Sequence, residues 1–201
     1  MKSRSLEPEW LDDLPAEDPR AIRSRGDLRR VNAIMGNARV IARQLGDARR
    51  IADLGGGDGS LMRAVARKLK REVDIVNVDR VEGRDAFEYL QGTGPSFDAI
   101  VANLFLHHFD DARLRQLLAL VARRTRLFVA CEPRRSAAAL GASYLVGLIG
   151  CNDVTRHDSV ISVRAGFQDG ELSAAWPSGQ WKLTEKHAWP FSHLFVARLT
   201  P

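Results

Sequence analysis

Residues 51–61 read IADLGGGDGSL, in which an apolar segment runs into a turn that contains four glycines. Glycine allows the backbone to approach a ligand closely, because it has no Cβ atom and adopts positive φ angles without strain. The turn is not a dinucleotide fingerprint, since Ser60 stands where the G-x-G-x-x-G spacing requires glycine, and it lacks the lysine of a phosphate-binding loop. Asp53 and Asp58 would repel a pyrophosphate and attract a cation. The stretch therefore predicts a site for a ligand without phosphate groups.

The segments around this turn alternate between apolar strands and amphipathic helices. Strands are predicted for RRIADL, EVDIVNVD, FDAIVANLFL and TRLFVACEP, and helices for SLMRAVARKLK and DDARLRQLLALVARR. This alternation is typical of a parallel sheet with helices on its faces. WKLTEKHAW and FSHLFVARL predict an antiparallel pair at one edge of that sheet. The predicted fold class is α/β, with a Rossmann-like, mostly parallel sheet and an antiparallel C-terminal edge strand.

The first 46 residues predict an α-helical N-terminal cap. Asp18 followed by Pro19 is typical of a helix start, and Gly36 is typical of a helix end. A second helix is predicted to end near Gly46. We therefore divide the chain into a helical cap or lid, residues 1–46, and a ligand-binding domain, residues 47–201.

Positive charge is concentrated near the N-terminus. The formal net charge is +5, and residues 19–50 contain nine arginines against two aspartates. This block could contact nucleic acid, a membrane surface or an acidic ligand, but a solvated helix face also explains it, and no RNA-binding signature accompanies it. The first 20 residues lack a secretory signal's apolar core, and no uncharged run is long enough for a membrane span. The two cysteines, Cys131 and Cys151, form neither a CxxC pair nor a zinc-binding spacing. Free thiols are typical of a reducing compartment, so a cytoplasmic location is expected.

DLGGGDG, at residues 53–59, resembles the first motif of class I S-adenosylmethionine-dependent methyltransferases. FDAIVANLFLHHFDD and LFVACEP resemble the fourth and fifth strands of the small-molecule branch of that family, the ubiquinone/menaquinone-biosynthesis type. The resemblance is good over residues 50–135. It implies that residues 47–201 form a cofactor-binding methyltransferase domain, with S-adenosylmethionine as cofactor and S-adenosylhomocysteine as product.

The resemblance also implies roles for individual residues. Asp79 matches the acid that accepts hydrogen bonds from the ribose hydroxyls, and DAF at residues 85–87 resembles the turn that contacts adenine. Asn103 corresponds to the residue beside the methionine part of the cofactor. The residues implied to bind the cofactor are Asp53, Gly55, Gly56, Gly57, Gly59, Asp79, Asp85, Ala86 and Asn103.

The expected acceptor is a small apolar or phenolic molecule, methylated on oxygen or carbon. Enzymes of this family that methylate base amines carry an Asn/Asp-Pro-Pro-aromatic turn after the fourth strand, whereas this chain reads ANLFLHH. Nucleic acid is therefore a less favoured partner. Two alternatives stay open: an RNA or protein methyltransferase that uses the basic N-terminal helices, and a binding module without catalysis. The oligomeric state is left open.

Three residues are candidates for acceptor chemistry: His107, after the fourth predicted strand, and the adjacent pair His157 and Asp158. A neutral histidine can remove the acceptor's proton, and a neighbouring carboxylate raises its basicity. No metal is expected, because Asp110 fits a helix cap better than a metal ligand. The uncharged segment 136–152 predicts either a buried helix or one wall of an apolar acceptor pocket that includes Tyr144. In the second interpretation the N-terminal helices are a lid, with Arg23, Arg29 or Asn32 facing inward.

The link between the second and fourth predicted strands is short. Only five residues separate Asp79 from Asp85, whereas a parallel crossover needs a dozen or more. Either the third strand is lost and GRDAFEYLQG is a helix, or a deletion impairs binding, or the sequence lacks a segment and EGRDAF closes a normal third strand. The family-like form of DAFEYL favours the last alternative.

Overall fold

A computed structural model describes residues 3–94, 96–188 and 190–200. Six strands form one sheet in the order β2–β1–β3–β4–β6–β5. The strands are β1 (Arg50–Leu54), β2 (Asp74–Val78), β3 (Ala99–Asn103), β4 (Leu127–Pro133), β5 (Trp181–Ala188) and β6 (Ser192–Leu199). The first four strands are parallel, and β6 runs antiparallel to both β4 and β5. The predicted α/β fold with a mostly parallel sheet and an antiparallel C-terminal pair is confirmed.

Helices cover both faces of the sheet. They are α1 (Trp10–Asp13), α2 (Pro19–Met35), α3 (Asn37–Ala42), α4 (Ser60–Leu69), α5 (Ala86–Gln91), α6 (Asp111–Arg124), α7 (Ala137–Tyr144), α8 (Asp153–Ala165) and α9 (Glu171–Ala175). Short 3₁₀ turns lie at Arg80–Glu82, Leu106–His108 and Val146–Ile149. Side chains alternate across each strand, so Ile100 and Ala102 belong to one hydrophobic core and Val101 to the other.

The helix signals near the N-terminus are confirmed. The Asp18 side chain accepts a hydrogen bond from the Arg20 N–H at the start of α2, and Gly36, with φ of 66°, ends it. The second helix, α3, ends at Ala42, a few residues before Gly46. Helices α1 and α2 pack against α8, which places the N-terminal segment over one end of the sheet. The division of the chain at residue 46 stays a prediction.

The expectation of a normal third strand is wrong. The chain passes directly from Asp79 to Asp85 through the 3₁₀ turn Arg80–Glu82 and Gly83, whose φ is 70°. The Arg84 N–H then donates to the Asp79 carbonyl at 3.0 Å, and α5 follows at once. Five residues are too few to cross the sheet and return in the same direction. The segment is therefore a tight loop and a helix, and β2 is the edge strand of the sheet.

Candidate functional site

The turn after β1 is built so closely that its first two glycines have no room for a side chain. A Cβ atom on Gly55 would lie 2.2 Å from the Phe105 ring, and one on Gly56 would lie 2.2 Å from Asn77 Oδ1. Positive φ angles of 68°, 54° and 69° at Gly55, Gly57 and Gly59 add a backbone conformation that other residues rarely adopt. The glycines therefore bring bare backbone to the carboxyl end of β1, where ligands bind in open parallel sheets.

Asp79 is fixed beside this turn by two backbone donors. Its Oδ2 accepts the Gly57 N–H at 2.8 Å, and its Oδ1 accepts the Val81 N–H at 2.8 Å. A carboxylate offers about four lone-pair sites, so both oxygens keep further acceptor capacity. The side chain lines the neighbouring cavity. This arrangement suits a carboxylate that accepts hydrogen bonds from a ligand diol.

Asp53 is a buried carboxyl with no hydrogen-bond partner among the described residues. It lies on β1 beneath Gly56 and is 1% exposed, and neither of its oxygens is paired. Burial, helped by the charge of Asp79, raises the pKa of Asp53 to about 8. An unpaired buried polar group is costly unless something satisfies it. A positively charged N–H donor would both satisfy this carboxyl and lower its pKa.

Asp85 and Asn103 are both held by hydrogen bonds, but in different surroundings. Asp85 caps α5 by accepting the Phe87 N–H at 2.8 Å, and together with Ala86 it lines the cavity. Asn103 is 8% exposed and belongs to a cluster of three amides. Its Oδ1 accepts from Asn37 at 2.9 Å, and its Nδ2 donates to Asn32 at 3.0 Å. Asn103 therefore ties β3 to the N-terminal helices.

A cavity of about 870 Å³ extends from the glycine turn to the N-terminal helices. Its walls near the turn include Gly55, Gly57, Asp79, Asp85 and Ala86. Its far side is largely apolar and is formed by Leu28 and Val31 of α2 and by Leu145, Val146 and Ile149. This size is typical of a small-molecule site. The cavity has room for two ligand parts, one at the glycine turn and one under the helices.

His107 lies in the same cavity, buried between two carboxylates. Its Nδ1 is 2.8 Å from Glu132 Oε2, and its Nε2 is 3.4 Å from Glu9 Oε1 in an ion-pair contact that is not aligned as a hydrogen bond. Glu132 also accepts the N–H groups of Phe105 and Leu106 at 3.0 Å each. These bonds fix both the 3₁₀ turn after β3 and the orientation of the imidazole.

The two carboxylates change the acidity of His107. Burial acts to lower its pKa, but Glu132 and Glu9 outweigh burial and raise the pKa to about 9. Burial likewise acts to raise the pKa of Glu9, but His107 and His108 lower it to about 2. The imidazole is therefore held as a cation at neutral pH. At neutral pH it loses this proton, and can then accept another, only when one carboxylate moves away and its pKa falls.

Neither carboxylate partner of His107 was identified from the sequence. Glu132 had a signal, because it is the one charged residue of β4, a strand whose seven residues are all buried. A fully buried charge is normally paired, so it could have been matched to a histidine. No sequence signal identifies Glu9 as a partner of His107, since the two residues are far apart along the chain and meet only through tertiary packing.

His157 and Asp158 are brought together, and both contact the N-terminal segment. His157 Nδ1 is 2.8 Å from Asp158 Oδ1, and the Trp10 ring stacks on the imidazole at 3.8 Å between centroids. Asp158 also accepts the N–H groups of Trp10 and Leu11 at 2.9 and 3.0 Å. Burial raises the pKa of Asp158, although His157 acts to lower it. The pair anchors the start of α1 and with it the segment that carries Glu9.

Glu9, His107 and His108 place three potential metal-ligand atoms within 4.8 Å of one another. Asp110, in contrast, caps α6 by accepting the Arg113 N–H at 2.8 Å, as predicted. The strong pairing of His107 with two carboxylates provides a reason for the cluster that needs no ion.

Segment 136–152 lines the cavity, in keeping with one of its two interpretations, but Tyr144 does not. Tyr144 is 57% exposed and accepts a hydrogen bond from Arg164, because it lies on the outer side of the 136–152 segment. Of the three residues predicted to face inward from the lid, Asn32 does so, because its Oδ1 accepts hydrogen bonds from Asn37 and Asn103, but the two arginines do not. Arg23 and Arg29 lie on the exposed side of α2, where Arg29 pairs with Asp58 at 2.7 Å.

No protein-family model and no curated protein matches this sequence. The plantazolicin methyltransferase BpumL, solved in complex with SAH, aligns with a TM-score of 0.70 and 9% identity over 92% of each chain. An O-methyltransferase family protein from Burkholderia thailandensis aligns with a TM-score of 0.62 and 16% identity. The chain has the methyltransferase fold.

Other neighbours of this methyltransferase fold are longer proteins. The Burkholderia protein is matched over 92% of this chain but 61% of its own length. Mitomycin 7-O-methyltransferase MmcR aligns with a TM-score of 0.64 and 17% identity, over 94% of this chain and 60% of its own. The present chain thus spans about three fifths of these two. Among the described residues, no helix has the length and apolar character to cross a membrane.

Proposed function

We propose that this protein transfers a methyl group from S-adenosylmethionine to oxygen or carbon of a small apolar or phenolic acceptor. The observation that carries the proposal is a single cavity that joins the glycine turn and Asp79 to the buried His107. The neighbours support it, since BpumL was solved in complex with SAH and MmcR is a mitomycin 7-O-methyltransferase. The residues 1–46 would form the lid of this cavity.

The residues at the glycine turn fit the cofactor. Bare backbone at Gly55 and Gly56 admits close approach of a ligand, Gly57 and Gly59 complete the turn, and the unpaired carboxyl of Asp53 suits a cationic amine. Asp79 would hold the ribose diol, and Asp85 and Ala86 would contact adenine. Asn103 would support the methionine part from beneath, through its amide cluster. When bound, the cofactor supplies a methyl group activated by a positively charged sulfur.

His107 would accept the proton that leaves the acceptor. Its Nδ1–H points to Glu132, so a proton from the acceptor goes to Nε2, the atom that now faces Glu9. An acceptor hydroxyl that takes the place of Glu9 removes one of the two charges that raise the pKa of His107. With its pKa lowered, the imidazolium would release its Nε2 proton to water before methyl transfer. The neutral Nε2 could then take the acceptor's proton, with a pKa close to neutral, where general base catalysis is most effective.

His157 and Asp158 would act on this chemistry indirectly. Both are engaged with Trp10, and Asp158 holds two N–H groups at the start of α1. We therefore assign them to positioning Glu9 rather than to proton transfer. The reaction as proposed uses no metal ion.

Labelled S-adenosylmethionine incubated with phenolic, carboxylic and lipid extracts tests the proposal. We expect label in a phenolic or apolar product, with kcat/KM rising towards alkaline pH because His107 must lose its proton in the free enzyme. His107→Gln should lose turnover while retaining cofactor affinity, and His187→Gln, at an exposed histidine of β5, is the matched control. Cofactor binding without transfer to any acceptor class would instead indicate a binding module.

A further inference from the structure

An apolar surface surrounds the 3₁₀ turn that follows α7, and the proposed reaction does not use its outer side. We name residues 144–150 the apolar turn. Leu148 and Tyr144 are 82% and 57% exposed and do not line the cavity, so they form the outer side of this turn. Leu145 and Ile149, 58% and 39% exposed, stand between this outer side and the cavity, which they also line. Clustered apolar side chains on a protein surface are a common feature of interaction sites.

Arginines contact this apolar turn from several elements. Arg23 and Arg30 of α2 both donate to the Gly150 carbonyl, at 3.4 and 3.2 Å. Arg156 of α8 packs against Gly147, where a Cβ atom would lie 3.1 Å from its Nε. Arg164 donates to Tyr144 at 3.3 Å.

The carboxylates near the apolar turn neutralise only part of this charge. Arg30 pairs with Asp27, and Arg164 lies 3.8 Å from Glu7. Arg23 and Arg156 form no ion pair with any described residue. Two exposed guanidinium groups therefore stand beside the exposed leucine.

We propose that the apolar turn docks on an anionic lipid bilayer, with Leu148 inserted among the acyl chains and Arg23 and Arg156 at the phosphate level. Apolar side chains flanked by basic ones are the pattern of interfacial membrane binding. Basic residues near an anionic leaflet strengthen binding about fivefold each. A second copy of this chain is a poor occupant, because a two-fold contact would place the same arginines against each other. The proposal does not depend on methyl transfer.

The position of the apolar turn gives this docking a consequence for the cavity. Leu145, Val146 and Ile149 belong to the turn and also line the cavity. One side of the segment therefore forms the apolar wall of the site, and the other side would lie on the bilayer.

Flotation of the purified protein with vesicles tests the proposal. Vesicles of phosphatidylcholine with about one third phosphatidylglycerol should carry the protein upward, and pure phosphatidylcholine vesicles should carry much less, with binding weakened by salt. Leu148→Asp should reduce binding about tenfold or more. Leu183→Asp, at an exposed leucine of β5, is the matched control and should bind as the wild type does. The double variant Arg23→Gln/Arg156→Gln should also bind more weakly.

Thermal unfolding of each variant checks that the fold is retained, since Leu148 and both arginines are exposed. Absence of wild-type binding to the anionic vesicles would overturn the proposal, as would unchanged binding by Leu148→Asp. Two other results would also overturn it. One is a wild-type dimer in light scattering that Leu148→Asp dissociates, and the other is RNA retention in place of vesicle binding.

Discussion

The free energy of unfolding should fall as the pH rises from 6.5 to 9, because folding holds a proton on His107. In the folded chain Glu132 and Glu9 raise the pKa of this histidine from 6.5 to about 9. Below pH 6.5 the histidine is protonated in both states, and the stabilisation is complete. Above that pH the unfolded chain loses the proton first, so the stabilisation declines until the folded pKa is passed.

The size of the effect follows from the width of this interval. At about 1.36 kcal/mol per pH unit, the interval from 6.5 to about 9 corresponds to about 3 kcal/mol. The low pKa of Glu9 describes the same ion pair from the other side and is not added. Asp53, whose pKa is raised to about 8, also makes stability fall with pH, but only between its ordinary value of 3.8 and about 8. Between pH 8 and 9 the decrease in the free energy of unfolding therefore comes from His107.

Urea unfolding followed by tryptophan fluorescence at pH 6, 7, 8 and 9 measures this dependence. The wild type should lose about 3 kcal/mol more than His107→Gln across the series. His187→Gln, which removes an exposed imidazole, should follow the wild type. A variant His107→Gln that keeps the full wild-type decline between pH 8 and 9 would refute the role given to the two carboxylates.

Four further results are expected. Asp79→Ala should weaken S-adenosylmethionine binding in calorimetry about ten- to a hundredfold, because charge-assisted hydrogen bonds contribute about 1.5–3 kcal/mol, while Asp47→Ala at an exposed carboxylate should not. Asp53→Asn should raise the melting temperature at pH 7.5 yet weaken cofactor binding, and unchanged binding would remove Asp53 from the site. Gly55→Ala should abolish binding, because the new Cβ atom would collide with an aromatic ring, whereas Gly141→Ala, with open space inside α7, should stabilise the fold by about 0.5–1 kcal/mol. EDTA should leave turnover unchanged, and a loss restored by zinc would assign the Glu9 cluster to a metal.

The glycine turn and Asp79 could be located from the sequence because both follow apolar strands. The carboxyl ends of parallel strands meet at one edge of the sheet, and the Gly57 N–H indeed contacts Asp79. His107 could be predicted as a candidate site residue for the same reason, because it follows the strand β3. Its partners could not, because Glu9 comes from the N-terminal segment and reaches the imidazole only through tertiary packing.

The missing third strand shows why a familiar motif was misleading. The form of DAFEYL predicts a normal strand before it, yet Asp85 caps α5 by accepting the Phe87 N–H, which gives the residue a local structural role without that strand. The short link between Asp79 and Asp85 was the better guide, because chain length is a geometric limit and a motif is not.

The edge position of β2 leaves one end of the proposed cofactor site open to water. The loop beyond Asp79 is short, Val81 is 57% exposed, and the Arg80 side chain is 83% exposed. An adenine ring held at Asp85 would therefore have solvent on its far side. Cofactor analogues that carry a long tether on adenine should be retained as well as the natural molecule. If the tether is attached to a resin, the protein would be captured through the nucleoside end of the bound cofactor analogue. The acceptor cavity of the protein would stay accessible.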